Sequence, residues 1–309
     1  MMKRRSLLSL PLGLVWTPSF AQGRRVGRLV IIGGAEDKLK DRIILQRFVE
    51  LCGGSGSRIR VLSAASSDPA SAWATYQSVF SELGVIDCQP ILIPDRDAAD
   101  SSTVTNLILQ ADGIFISGGD QRRLMELIWE TEAFRALHAA FHLRGCCVGG
   151  TSAGAAVLSR NMLVQGEATM LPEKEVAELD IGLGFVARAI VDQHFSERGR
   201  LGRLLSAMAQ RPQMLGVGVD EDTALVIERD LGIEVIGRGA VTIVDGRHML
   251  SNHDRIDERE RLELLGVRLH VLPSGHRYSL NPKVLQARAM PVALLEAVRL
   301  LVESGPIRG

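Results

Sequence analysis

From residue 25 onward the chain alternates short, near-continuous apolar runs with longer stretches whose apolar residues recur at helical spacing. Val26–Ile32, rich in β-branched residues and ended by Gly33-Gly34, predicts a strand, and the pattern from Asp41 to Cys52 predicts a helix. Arg58–Ser63 predicts a second strand, Ala70–Leu83 a helix stopped by Gly84, and Gln89–Pro94 a third strand. Gly113–Ile116 predicts a fourth, ending in Ser117-Gly118-Gly119-Asp120 and followed at once by a helix over Arg122–Ile128. After a helix over Phe134–His142, a fifth strand, Gly145–Gly149, runs into Gly150-Thr151-Ser152-Ala153-Gly154 and a helix-like run to Ser159. Strands apolar on both faces, separated by amphipathic helices, imply an α/β three-layer sandwich around a mostly parallel sheet. The glycines gather where strands end, the place where open α/β sheets form their crevices.

After Gly182 the pattern changes. Leu215–Ile227, Ile233–Val244 and Val267–Leu272 predict strands joined by tighter turns such as Val244-Asp245-Gly246. This predicts an antiparallel extension of the same sheet or a small terminal hairpin layer. No linker or repeat interrupts residues 22–309, which are expected to form one domain with 240–309 as a C-terminal extension. Ahead of it, Lys3-Arg4-Arg5, the apolar stretch Leu7–Trp16 and Ser19-Phe20-Ala21 have the layout of an export signal over residues 1–21. Both Sec and twin-arginine export fit it, and a secreted or periplasmic location is expected. The stretch is too short and too proline-interrupted to span a bilayer, and the mature chain is expected to be free of the membrane.

Of the 309 residues 46% are hydrophobic, enough for one large core. Formal net charge is +0, so no global field draws the chain to nucleic acid. Outside the cytoplasm Cys52 and Cys88 are candidates for a disulfide, whereas Cys146 and Cys147 lie in an apolar run and are expected to be buried. Neither a CxxC pair nor an HExxH motif is present, so no metal and no cofactor are expected.

The segment 150–154 fits G-x-S-x-G, the nucleophile elbow. A serine on so sharp a strand-to-helix turn sits in strained backbone, and neighbours two residues away must lack bulk. Ser152 is therefore the candidate nucleophile, with the N–H of Ala153 and that of Gly118 or Gly119 as candidate oxyanion donors. Gln121 is placed to hydrogen-bond substrate. Among the histidines, His194 closes an apolar run in Asp192-Gln193-His194-Phe195 and is the candidate base; His138 and His142 read as solvated or capping residues. Arg198, Arg200 and Arg203 follow, and guanidinium forks suit carboxylates. The orienting acid is Glu221 or Glu167.

These residues give the chain a resemblance to the cyanophycinases, serine peptidases related to the α-aspartyl dipeptidase peptidase E. It rests on IIGGAEDK (31–38), FISGGDQRRL (115–124), GGTSAGAAVLS (149–159), DQHFSERGRLGRL (192–204) and GVGVDEDTAL (216–225). The resemblance implies a class I glutamine-amidotransferase-like, flavodoxin-like fold and a homodimer. It implies exopeptidase cleavage of cyanophycin, a poly-aspartate carrying arginine on each side chain, to β-Asp-Arg dipeptides. Ser152, His194 and Glu221 would then be the triad, with Gln121, Asp192, Gln193, Arg198, Arg200 and Arg203 lining the pocket. Two other readings stand beside it: an exported aspartyl dipeptidase of the same fold, and a non-catalytic periplasmic binding protein for Asp/Arg peptides.

Overall fold

The computed structural model describes residues 27–229, 231–281 and 288–303, so the leader at 1–21 lies outside the described residues. Strand β1 (Arg28–Ile32) leads to helix α1 (Ile43–Cys52), and β2 (Arg58–Leu62) leads to α2 (Pro69–Glu82). After β3 (Asp87–Ile91) come α3 (Arg96–Ala99) and α4 (Ser102–Gln110); after β4 (Gly113–Ile116) come α5 (Gln121–Ile128) and α6 (Glu132–Arg144). Then β5 (Cys147–Thr151) opens into the single turn α7 (Ala153–Ala156). Caps explain the helix starts: Asp68, Asp95, Ser101, Asp120 and Thr131 each accept a backbone N–H of the first turn with the side chain.

The second half holds β6 (Asn161–Gly166) and β7 (Ala177–Ile181), then β8 (Ala189–Gln193), α8 (Leu201–Gln210) and β9 (Leu215–Val219). It continues with β10 (Thr223–Glu228), β11 (Gly232–Gly237) and β12 (Ala240–Asp245). Two short strands, β13 (Leu250–Ser251) and β14 (Leu264–Leu265), precede β15 (Arg268–Pro273), β16 (His276–Ser279) and α9 (Val292–Val302).

The large sheet has eight strands in the order β16-β11-β10-β1-β5-β4-β2-β3. Strands β1 to β5 run parallel, and β10, β11 and β16 extend the sheet antiparallel beyond β1. One face packs on α1 and α2 through Val30, Ile32, Phe48, Val61 and Phe80. The opposite face buries Leu29, Ile31, Ile114, Val148 and Leu225 with residues of α4, α5 and α6. A period-2 strand between two helical layers therefore fills both cores, as the continuous apolar runs require.

The antiparallel part departs from the expectation in one respect. Leu215–Ile227 and Ile233–Val244 are each two strands, broken at Asp220-Glu221-Asp222 and at Arg238-Gly239. At each break the chain leaves one sheet for another. Strands β8, β9, β12 and β15 form a separate four-stranded sheet, order β15-β12-β9-β8, stacked on the large one through Val191, Val217, Val219 and Ile243. An apolar run cannot reveal such a crossing, because both halves are buried. Residues 240–281 are thus woven into both sheets, with β12 internal to the smaller and β16 at the edge of the larger. Helix α8 covers the far side of the small sheet through Leu204, Ala207 and Met208.

All four cysteines are free thiols, so Cys52 and Cys88 are not joined. Burial raises the thiols of Cys52 and Cys146 well above their usual range and pushes Cys88 up to about 11. His138 is fully buried instead of solvated, its Nε2 2.8 Å from the Leu183 carbonyl. Among the described residues no helix is long and apolar enough to cross a membrane.

The helical layer over β2 and β4 is held by an aromatic cluster. Phe115 meets Phe48, Tyr76 and Phe80 with ring centroids 5.4, 4.6 and 5.5 Å away. Phe115→Ala should lower unfolding free energy by about 3–5 kcal/mol, read by urea titration; a loss below about 1 kcal/mol would show that the cluster does not hold the layer.

Candidate active site

Strand β5 ends at Thr151 and α7 begins at Ala153, so Ser152 makes the whole turn, with φ 53 and ψ −116. Side-chain-bearing residues rarely occupy that region, and the surrounding packing must enforce it. The backbone closes tightly around it. A Cβ on Gly150 would lie 2.1 Å from the Gly154 carbonyl oxygen, and one on Gly154 2.3 Å from that of Ile116. Helix α7 stops at Ala156, short of the run to Ser159; Ser159 instead accepts the Val191 N–H with its hydroxyl, 3.0 Å away.

His194 follows the last residue of β8 and also takes a left-handed conformation, φ 48. Its N–H donates to the Gly33 carbonyl at 2.7 Å. Its ring lies against Gly34, where an added Cβ would be 2.3 Å from Cε1. The imidazole Nε2 is 2.9 Å from Ser152 Oγ, and Nδ1 is 2.5 Å from Glu221 Oε1. With Nδ1–H donating to the carboxylate, Nε2 is left to accept the serine proton. Glu221 sits at the β9–β10 crossing, its N–H bonded to Glu197 Oε2 at 3.1 Å and its carbonyl accepting the Thr223 hydroxyl at 2.9 Å. Glu167, the other candidate acid, is exposed on the β6–β7 loop and pairs with Arg259 at 3.4 Å. It is not the acid behind the ring, because that loop carries it to the 253–262 segment.

Because β4 runs parallel beside β5, the turn after β4 lands against the elbow. A Cβ on Gly118 would lie 3.8 Å from Ser152 Oγ. Gly119 backs onto the Ala65 carbonyl. The Gln121 side-chain amide donates to the carbonyls of Leu163, at 3.2 Å, and Val164, fastening α5 to β6.

The Asp192–Arg203 stretch is mostly internal. Asp192 is 1% exposed and Arg203 4%. Arg203 Nε donates to Asp192 Oδ2 at 2.8 Å, a second nitrogen reaches Oδ1, and the third donates to the Gly166 carbonyl at 2.9 Å. Arg200 donates to the Gln193 carbonyl and to Gln193 Oε1 at 3.1 Å. Burial pulls its guanidinium down to about 10, against the attraction of Asp192. Arg198 is exposed, its N–H bonded to the His194 carbonyl at 3.3 Å. Among the described residues no cluster of three or more His, Cys, Asp or Glu side chains is placed to hold a metal ion.

Gly34, Glu36 and Glu197 touch the His194 ring, the Thr151 hydroxyl and the Glu221 N–H respectively, although the sequence did not assign them to the site. For the first two, the signal was the glycine-ended strand β1 and the polar run that follows it.

Peptidase family S51 matches residues 29–235. The chain is 40% identical to a cyanophycinase of Geminocystis herdmanii, covering 81% of this chain and 93% of that one. It is 39% identical to a cyanophycinase of Synechococcus elongatus (85% and 82% covered) and 37% to one of Trichormus variabilis (83% and 87%). Among solved structures it is similar to a peptidase from an acI-B1 Actinobacterium, with TM-score 0.58 and 22% identity, covering 84% of this chain and 98% of that one. That last likeness is one of fold.

Removing the Asp192 carboxylate would leave the buried Arg203 cation without its counter-charge. Asp192→Ala should therefore destabilise the fold by about 3–5 kcal/mol, read by chemical denaturation; an unchanged midpoint would mean the pair is not held in a dry environment.

Proposed function

The chain belongs to peptidase family S51, and on that premise we propose that it is a serine-type exopeptidase that hydrolyses cyanophycin to β-Asp-Arg dipeptides. The observation that carries the reading is the continuous relay from Ser152 Oγ through His194 to Glu221, at 2.9 and 2.5 Å. The similarity to cyanophycinases over four-fifths of the chain supports the substrate.

In this mechanism His194 takes the Ser152 proton as the hydroxyl attacks the backbone carbonyl that follows an arginylated aspartate. The carbonyl oxygen becomes an oxyanion facing the N–H groups of Ala153 and of Gly118 or Gly119. His194 then protonates the leaving amine, and water hydrolyses the acyl-enzyme by the same route. Glu221 holds the ring in one tautomer and offsets its transient charge. Arg198, exposed beside the base, is the guanidinium suited to a carboxylate of the substrate. Arg200 and Arg203, tied to Gln193, Gly166 and Asp192, fix the walls around it.

We further propose that the protein is exported by its residue 1–21 leader, works as a secreted or periplasmic enzyme, and pairs as a homodimer. Cell fractionation and light scattering check these points; cytoplasmic retention or a monomer mass would reject them.

With purified cyanophycin, the wild-type protein should release β-Asp-Arg, and Ser152→Ala should lose turnover by about three orders of magnitude or more with an unchanged circular dichroism spectrum. Glu221→Gln should lose less than Ser152→Ala. Turnover retained by Ser152→Ala would remove the serine mechanism.

A further inference from the structure

Outside the relay, a buried polar cluster lies directly behind the elbow. Glu36, from the loop after β1, is 3% exposed although it carries a carboxylate. Its Oε1 accepts the Tyr76 hydroxyl at 2.6 Å and pairs with Lys38 Nζ at 2.8 Å. Its Oε2 accepts the Thr151 hydroxyl at 2.5 Å. Thr151 is the residue immediately before Ser152, and it too is buried. A carboxylate is costly to bury, so three partners converging on it mark a group whose position is fixed.

The loop that carries Glu36 is itself rigid. The Asp37 carboxylate accepts the N–H groups of Leu39, Lys40, Asp41 and Arg42 at 2.9, 3.0, 2.7 and 3.1 Å, which hold it well below the usual carboxylate range. The Asp37 N–H donates to Asp222 Oδ1 at 2.8 Å, and the Asp222 N–H to the Gly34 carbonyl at 2.9 Å. One short loop thus touches the residue before the serine, the backbone and ring of the histidine, and the residue after the acid. Tyr76, which burial and the Glu36 charge keep protonated, fastens the carboxylate to α2. Lys38 lies over the same ring at 5.4 Å.

We propose that Glu36 is a positioning residue for the nucleophile: its buried carboxylate grips the Thr151 hydroxyl and so holds the strained Ser152 turn with Oγ against His194. The proposal rests on the serine mechanism above. Glu36 touches no reacting atom; it sets the starting geometry, and small displacements there are expensive in rate. Without the grip, the turn can relax from its left-handed conformation and carry Oγ away from the imidazole.

Steady-state kinetics on cyanophycin separates this from general support of the fold. Glu36→Gln should lower kcat about 10- to 100-fold with KM changed less than about threefold. Thr151→Val, which keeps the shape and removes the hydroxyl, should do the same, and Thr151→Ser should recover most of that loss. The double variant Glu36→Gln/Thr151→Val should be no slower than the worse single, as expected for two ends of one contact. Should Glu36→Gln not fold, the Thr151 pair and Tyr76→Phe carry the test alone. Unchanged kcat in Thr151→Val, or losses that multiply in the double variant, would overturn the proposal. If the wild type leaves cyanophycin intact, the substrate reading fails on its own, and the rate of Ser152 labelling by a fluorophosphonate tests Glu36 instead. Labelling slowed in Glu36→Gln and Thr151→Val sustains it, and equal labelling overturns it.

Discussion

The imidazole of His194 rests on the bare Cα of Gly34, and the arrangement of both sheets serves that contact. No side chain can stand between ring and backbone there, since even a methyl would overlap Cε1. Strand β1, between β5 and β10, delivers Gly33 and Gly34 to the crevice; the smaller sheet delivers His194 from the other side. The serine arrives on β5, paired with β1 residue by residue up to Ile32 and Thr151. Three chain segments far apart in sequence meet because their strands end at one level.

Two of the three relay residues occupy left-handed backbone without being glycine, as do Ala35 and Asp222 beside them. Such conformations persist only where neighbours over-determine them. Here the determinants are visible: the Ile32 carbonyl takes the Ser152 N–H at 3.0 Å, Gly33 takes that of His194, and Gly34 that of Asp222. The loop after β1 works as a jig onto which the reactive groups are clamped by their main chains.

Much of this was legible in the sequence. The parallel strands β1, β4 and β5 announced themselves as apolar runs closed by glycine, and the G-x-S-x-G spacing located the turn, because both signals arise from local sterics. His194 was readable from its place at a strand end. What stayed hidden depends on distance through space. Glu167 and Glu221 are equivalent as letters, and only the crossing between sheets puts one behind the ring and sends the other to Arg259. The split of Leu215–Ile227 into two strands was invisible for the same reason, since a buried run reads alike in one sheet or two. Arg198, Arg200 and Arg203 read as a carboxylate-binding cluster, yet Asp192 and Gln193 already occupy most of the capacity of the last two.

The thiols bear on how the protein can be handled. Four cysteines stay unlinked, with Cys52, Cys146 and Cys147 enclosed in the core and Cys52, Cys88 and Cys146 held protonated by their surroundings. The thiolate is the reactive form, so these groups are slow to exchange or oxidise. The fold accordingly owes nothing to an oxidant: no disulfide distinguishes a chain folded in a reducing cytosol from one folded beyond the membrane, and reductant in the buffer leaves the fold intact.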